Sequence, residues 1–206
     1  SQTFISAFGW QEALFILAAT CLLMIPLALP LGASKGGAVA AANEADLTMV
    51  NAIRGAFGHR SYVLLVLGFF VCGFQIAFVT VHMPPYLVER GLSPFVAGWA
   101  IGVVGLFNVI GSYASGMFGS RYSKRWGLSA IYFLRSVVIV IFLLTPLSTA
   151  SALLFSATLG LLWLSTVPLT IGLVAVMFGT RYIATLYGFV FFSHQVGSFF
   201  GVYLGG

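Results

Sequence analysis

Apolar residues along this chain run on without alternating. Six stretches, at about 9–31, 62–87, 95–119, 126–147, 151–178 and 183–205, are long enough for a helix to cross a bilayer core about 30 Å thick, which takes about 20 residues. Strands of a membrane barrel would instead alternate apolar and polar positions over about ten residues. Backbone polar groups in lipid must also find partners within their own segment or in a closed sheet. The pattern therefore predicts an all-α fold, a polytopic membrane helix bundle. The first stretch lacks the basic start and small-residue cleavage site of a signal peptide and reads as a span.

Composition agrees: 60% of the 206 residues are hydrophobic and only 6% are charged, with a mean hydropathy of +1.07. A soluble domain carries about a quarter charged residues. The few charges cluster between spans. Lys35, Arg54, Arg60, Arg121, Lys124, Arg125 and Arg181 fall in alternate connections on one side, Arg90 falls on the other, and Arg135 lies within a span. That asymmetry predicts a cytoplasmic basic side of an integral membrane protein. It accounts for the net charge of +5 without invoking nucleic acid. Cys21 and Cys72 sit in separate spans, each without a second cysteine nearby, and suggest buried apolar thiols, with no disulfide framework or metal site. No phosphate-binding G-x-x-x-x-G-K-S/T loop is present, and no cofactor is implied.

Residues 32–60 form the one long connection. After a Gly/Ala/Ser-rich opening, Val50, Ile53 and Phe57 recur at helical spacing, with Glu44 and Asp46 upstream. A short amphipathic helix on the membrane surface fits that spacing, as does a solvated linker. The chain begins with Ser1 and stops at Gly206 as its last span ends, which suggests a fragment of a longer protein with spans missing at both ends.

Gly116-Met-Phe-Gly-Ser120-Arg121-Tyr-Ser123-Lys124-Arg125 resembles the G-x-x-x-D-R-x-G-R-R loop of major facilitator superfamily transporters. Gly116, Arg121, Lys124 and Arg125 match, while Ser120 replaces the Asp and Ser123 the Gly. Phe8-Gly9-Trp10-Gln-Glu12-Ala resembles the superfamily's start of helix 6. The resemblance implies six helices, about 6 to 11, of an expected twelve. Residues 1–31 would end the N-terminal half, 32–60 would be the cytoplasmic central loop, and 61–206 would begin the C-terminal half, with the rest of the N-terminal half of the same chain as its missing partner. Segments such as 80–93 and 187–201 are most similar to bacterial monocarboxylate porters and oxalate/formate exchangers. Those relatives place cations in helices 8 and 11, but here Ser112 stands about where the helix 8 Arg would fall. In the superfamily the cationic loop makes contacts that differ between access states, and Arg121, Lys124 and Arg125 are candidates for that role beside simple topology anchoring.

Polar residues inside spans are expensive and usually face protein or a cavity. His194 lies about 12 residues, or ~18 Å, into its span and with Ser193 and Gln195 makes the densest polar patch there. Substrate binding, proton carriage and plain packing are all open to it, since imidazole titrates near neutrality. Arg135 could anchor a backbone carbonyl or clamp a carboxylate. Gln75 and His82 share one helix face, and Asn108 is mid-span in the third stretch. Pro84 and Pro85 are expected to break the helix after His82, as an outer gate or as a plain helix end, and Pro168 to kink the fifth span. Gly98, Gly102 and Gly105, and Gly197, Gly201 and Gly205, form two stripes suited to close helix contact.

The expected function is secondary active transport of a small organic solute, a monocarboxylate among the candidates, by alternating access coupled to protons or counter-substrate. The bacterial plasma membrane is its expected location. Carriage of an uncharged or cationic solute is the alternative, and a non-transporting receptor or scaffold is the reading from another class. An enzyme is not expected: the spans hold no paired aspartates, no H-E-x-x-H and no G-x-S-x-G.

Overall fold

A computed structural model of the chain describes residues 48–205. Every regular element among them is helical: α1 (Met49–Gly58), α2 (Arg60–Glu89), α3 (Pro94–Arg121), α4 (Lys124–Leu144), α5 (Thr149–Leu162), α6 (Thr166–Phe178) and α7 (Ile183–Tyr203). The all-α expectation holds, and each apolar stretch from residue 62 onward becomes helix within a few residues of its expected bounds. The first expected span, Cys21, Lys35, Glu44 and Asp46 lie outside the described residues.

Among the described residues, four runs are long and apolar enough to cross a membrane: α2, α3, α4 and the combined run Thr149–Phe178. At 21 residues α7 is also about 31 Å long, but Ser193, His194 and Gln195 dilute its apolar character. It relies on protein neighbours, and its broadest contact is with α2.

Glycines set that contact. A Cβ on Gly73 of α2 would overlap the His194 carbonyl, and on Gly197 and Gly201 of α7 it would overlap the Phe70 and Phe74 carbonyls. The two backbones therefore touch directly, as small residues permit in a bilayer. Hydroxyls add to the seam: Ser193 donates to Val66 O (2.8 Å), Ser198 to Gly73 O (3.2 Å) and Tyr62 to Leu186 O (2.8 Å). The second close pair is α3–α5, where Gly111 meets the Leu161 carbonyl and Gly160 meets that of Val104.

The stripe expected at Gly102 and Gly105 is not used, because both face open space. The buried face of α3 runs instead through Ala97, Ala100, Val104, Gly111 and Ser115. Periodicity identified a smooth face, but α3 turns a different one to its neighbours.

Among the described residues, apolar side chains gather in two clusters. One joins Tyr62, Leu65, Phe69 and Cys72 of α2 to Leu128, Leu169, Leu186 and Val190. The other joins Met83 and Leu87 to Ala97, Ala100, Val104, Phe155, Leu159 and Trp163. Ile76 packs against both, so the level of Cys72 to Ile76 is the waist of the bundle.

The break expected at Pro84–Pro85 does not occur: α2 runs through both prolines to Glu89. The missing N–H groups release only the Thr80 and Val81 carbonyls, on exposed residues. Met83 and Leu87, 5% and 0% exposed, anchor the last turns in the second cluster. A short helix forms where the spacing of Val50, Ile53 and Phe57 suggested one, as α1, with Thr48 accepting from Asn51 N–H at its start. Phe57 packs edge-on to Tyr62 and Phe189.

Candidate functional site

The bundle's most unusual backbone lies at the waist. The expected fifth span is two helices separated by Trp163–Ser165. Pro168 explains the position, since it has no N–H for the Leu164 carbonyl four residues earlier and its ring crowds that carbonyl. Val167 N–H takes the Leu164 carbonyl instead, at 2.9 Å. The opening frees further backbone groups where no bulk water is at hand, and each must find a partner.

Neighbouring helices supply them. Arg135 of α4, 1% exposed, donates from Nε and Nη2 to Leu162 O at 3.0 and 2.5 Å, and from Nη2 to Trp163 O. Its Nη1 donates to Cys72 Sγ of α2 at 3.1 Å, and its guanidinium lies 5.6 Å from the Tyr132 ring. From α3, Asn108 Oδ1 accepts Leu164 N–H at 3.0 Å and the Ser112 hydroxyl at 3.5 Å. Ser165 donates back to Leu161 O at 2.5 Å. Cys72 Sγ and Thr166 Oγ1 are 3.7 Å apart. Side chains of α3 and α4 thus clamp the break, and four of the five N–H donors of Arg135 are directed at this chain's own carbonyls and thiol.

His194 sits on the α2–α7 seam, 9% exposed, stacked on Phe191 with centroids 5.6 Å apart and tilted against Phe69 at 5.2 Å. Its Nδ1 is buried without a hydrogen-bond partner. Gln75 Oε1 and Thr170 Oγ1 are buried and unpartnered as well. Buried polar atoms without partners are rare enough to ask for a ligand or water.

The patch expected at 193–195 is split. Ser193 is engaged in the α2–α7 seam, His194 points inward and Gln195 is exposed, because successive helical residues diverge by about 100°. Gln75 and His82 do share a lining: both border an apolar groove of about 350 Å³ with Phe74, Met83 and Tyr86. His82 Nε2 lies 3.2 Å from Val202 O, across to α7. Gln75 also meets Arg135 in a small crevice with Trp163. Cys72 and Ser198 carry contacts that spacing did not single out; a free thiol within an apolar run looks like any other small core residue.

The family model of the Major Facilitator Superfamily matches residues 1–202. The chain belongs to the Major Facilitator Superfamily. It is also 30% identical over 148 residues to YcxA of Bacillus subtilis (strain 168), named an uncharacterized MFS-type transporter. That match takes in 69% of this chain and 36% of the relative, so the chain spans well under two thirds of its length. No solved structure matches. Membership makes this an integral membrane protein of a transporter family.

The superfamily-like loop is a two-residue link, Tyr122–Ser123, between Arg121 at the end of α3 and Lys124 at the start of α4. The Lys124 stem lies against Gly172 of α6, where a Cβ would stand 2.7 Å from it, and close to Gly119. Arg125 stacks 5.3 Å over Trp126, and Ser120 donates to Met117 O at 2.7 Å. Gly116 faces open space, whereas Gly119 lies under Leu169. The glycine that packing requires is one turn from the one the motif names.

Proposed function

We propose that this chain is part of a secondary carrier that moves a small organic solute by alternating access, coupled to protons or counter-substrate. One observation supports the reading: a broken helix at the waist, α5–α6, whose freed backbone is held by side chains of two other helices, α3 and α4. Discontinuous helices of this kind build substrate and ion sites in carriers. His194, Gln75 and Thr170 contribute unpartnered polar atoms to such a path. Asn108 and Arg135 shape its wall, Pro168 opens it, and Ser193 and Gln195 flank His194. The groove bordered by Gln75 and His82 beside Pro84 and Pro85 serves as the gate region. The end bearing Arg60, Arg121, Lys124, Arg125 and Arg181 faces the cytoplasm of a bacterial plasma membrane, and residues outside this chain complete the cavity.

An uncharged solute is a second reading, favoured by the engagement of Arg135. Among the described residues it is the one permanent cation buried within a span, and four of its five donors are taken by carbonyls and a thiol. The test is uptake into proteoliposomes by the full-length protein, comparing labelled monocarboxylates with neutral solutes, with and without an inward proton gradient. Gradient-driven uptake that falls at least tenfold in His194→Ala is the expected result. Absence of transport of either class by a folded protein would favour a receptor or scaffold.

A further inference from the structure

A groove of about 360 Å³ lies between α3 and α4, beside the break. Small residues give it room: Gly111, Ala114 and Ser115 on α3, Gly127 and Ala130 on α4. Leu161, Leu162, Ser165 and Leu169 of the broken run line it as well. Ala114, Phe118, Ala130 and Leu134 are exposed along it, so it opens on the outer surface of the described bundle. The two hydroxyls in its lining are already committed, Ser115 donating to Ser112 O at 3.0 Å and Ser165 to Leu161 O at 2.5 Å. A polar solute would lose its water there without gaining partners, whereas a hydrocarbon chain meets apolar neighbours throughout.

One end of the groove has the opposite chemistry. Phe118 lies over Gly127, where a Cβ would stand 2.7 Å from its ring, and Tyr122 stacks on Phe118 with centroids 4.9 Å apart. Within one further helical turn, about 5 Å, come Arg121, Lys124 and Arg125. Arg121 and Arg125 are exposed, and the Arg125 guanidinium lies 5.3 Å over Trp126, itself 66% exposed. The first turn of α4 holds no acidic residue, so the helix dipole adds to the positive field of the three cations. Exposed Trp and Tyr rings beside cations are the side chains that settle at the headgroup level of a bilayer.

We infer that an anionic phospholipid seats here, with an acyl chain in the α3–α4 groove and its phosphate among Arg121, Lys124 and Arg125. The apolar groove fits one half of that molecule and the cationic end the other. Guanidinium forks pair with phosphate oxygens, and basic pockets between membrane helices collect anionic headgroups. Because Leu161, Leu162 and Leu169 line the groove, the acyl chain touches the run on both sides of its break. The Lys124 stem, lying along Gly172, joins the headgroup end to α6. A bound lipid thereby braces α5 and α6 against α3 and α4.

The inference rests on the chain's place in a membrane, so it stands or falls apart from the carrier reading. Native mass spectrometry of the full-length protein, released from detergent, compares retention of phosphatidylglycerol with that of phosphatidylcholine bearing the same chains. Preferential retention of phosphatidylglycerol is expected. Arg121→Gln with Arg125→Gln should weaken it about tenfold, whereas Arg54→Gln with Arg60→Gln, which removes two exposed cations of α1 and α2, should leave it unchanged. Ala130→Phe fills the groove without touching a cation and should weaken retention severalfold. Folding of each variant is checked by size-exclusion elution, and Ala130→Leu serves if the larger side chain causes aggregation. Equal retention of the two lipids, equal loss in the two paired variants, or full retention with the groove filled would overturn the inference.

Discussion

Helix α2 runs through Pro84 and Pro85 to Glu89, whereas the run that carries Pro168 opens over Trp163–Ser165. Both sites lack backbone donors, so proline alone does not decide the outcome. At Pro84–Pro85 the released carbonyls lie on exposed residues near a helix end, and buried Met83 and Leu87 reward the continued turn. At Pro168 the opening lies at the waist, where Arg135, Asn108 and Ser165 offer hydrogen bonds that the helix has given up. A proline lowers the cost of a break; polar side chains from neighbouring helices decide whether one forms.

Removing the clamp should have the largest effect. Arg135→Leu strands the Leu162 and Trp163 carbonyls in an apolar setting, at about 1–3 kcal/mol each. A loss of about 2–6 kcal/mol is expected, read as a steep drop in thermal unfolding temperature of the full-length protein in detergent. Asn108→Leu orphans one group, Leu164 N–H, and should destabilise by about 1–3 kcal/mol on the same assay. Replacing Pro84 and Pro85 together by Ala restores donors to a helix that is already continuous. The change should stay within about 1 kcal/mol, on the stabilising side. A large loss there would mean that the prolines shape α2 in a way its straight passage does not reveal.

The spans were readable because lipid imposes one requirement on every residue of a crossing helix, and continuous apolar runs record it. The break was half readable. Pro168 marked the region, but the opening lies upstream, and its partners stand 27 and 56 residues away in sequence. No local pattern connects Arg135 to Leu162 or Asn108 to Leu164. The candidate site was legible as residue types and less so as an arrangement. Ser193, His194 and Gln195 are adjacent in sequence, yet point in different directions from α7, with Gln195 exposed. Gln75 and His82, seven residues apart, do meet along one groove, because a separation of two turns preserves the face. Glycine stripes showed where close contact was possible, but only the backbones brought together revealed that Gly73, Gly111 and Gly160 carry it alongside Gly197 and Gly201.

Amide hydrogen exchange across residues 161–168 of the full-length protein, compared with its Asn108→Leu variant, tests the clamp most directly. Strong protection of Leu164 N–H in the parent and its loss in the variant, with α2 around Pro84–Pro85 unchanged, is the result predicted for a break held by side chains. Equal protection in both proteins would contradict it and leave Pro168 alone responsible for the opening.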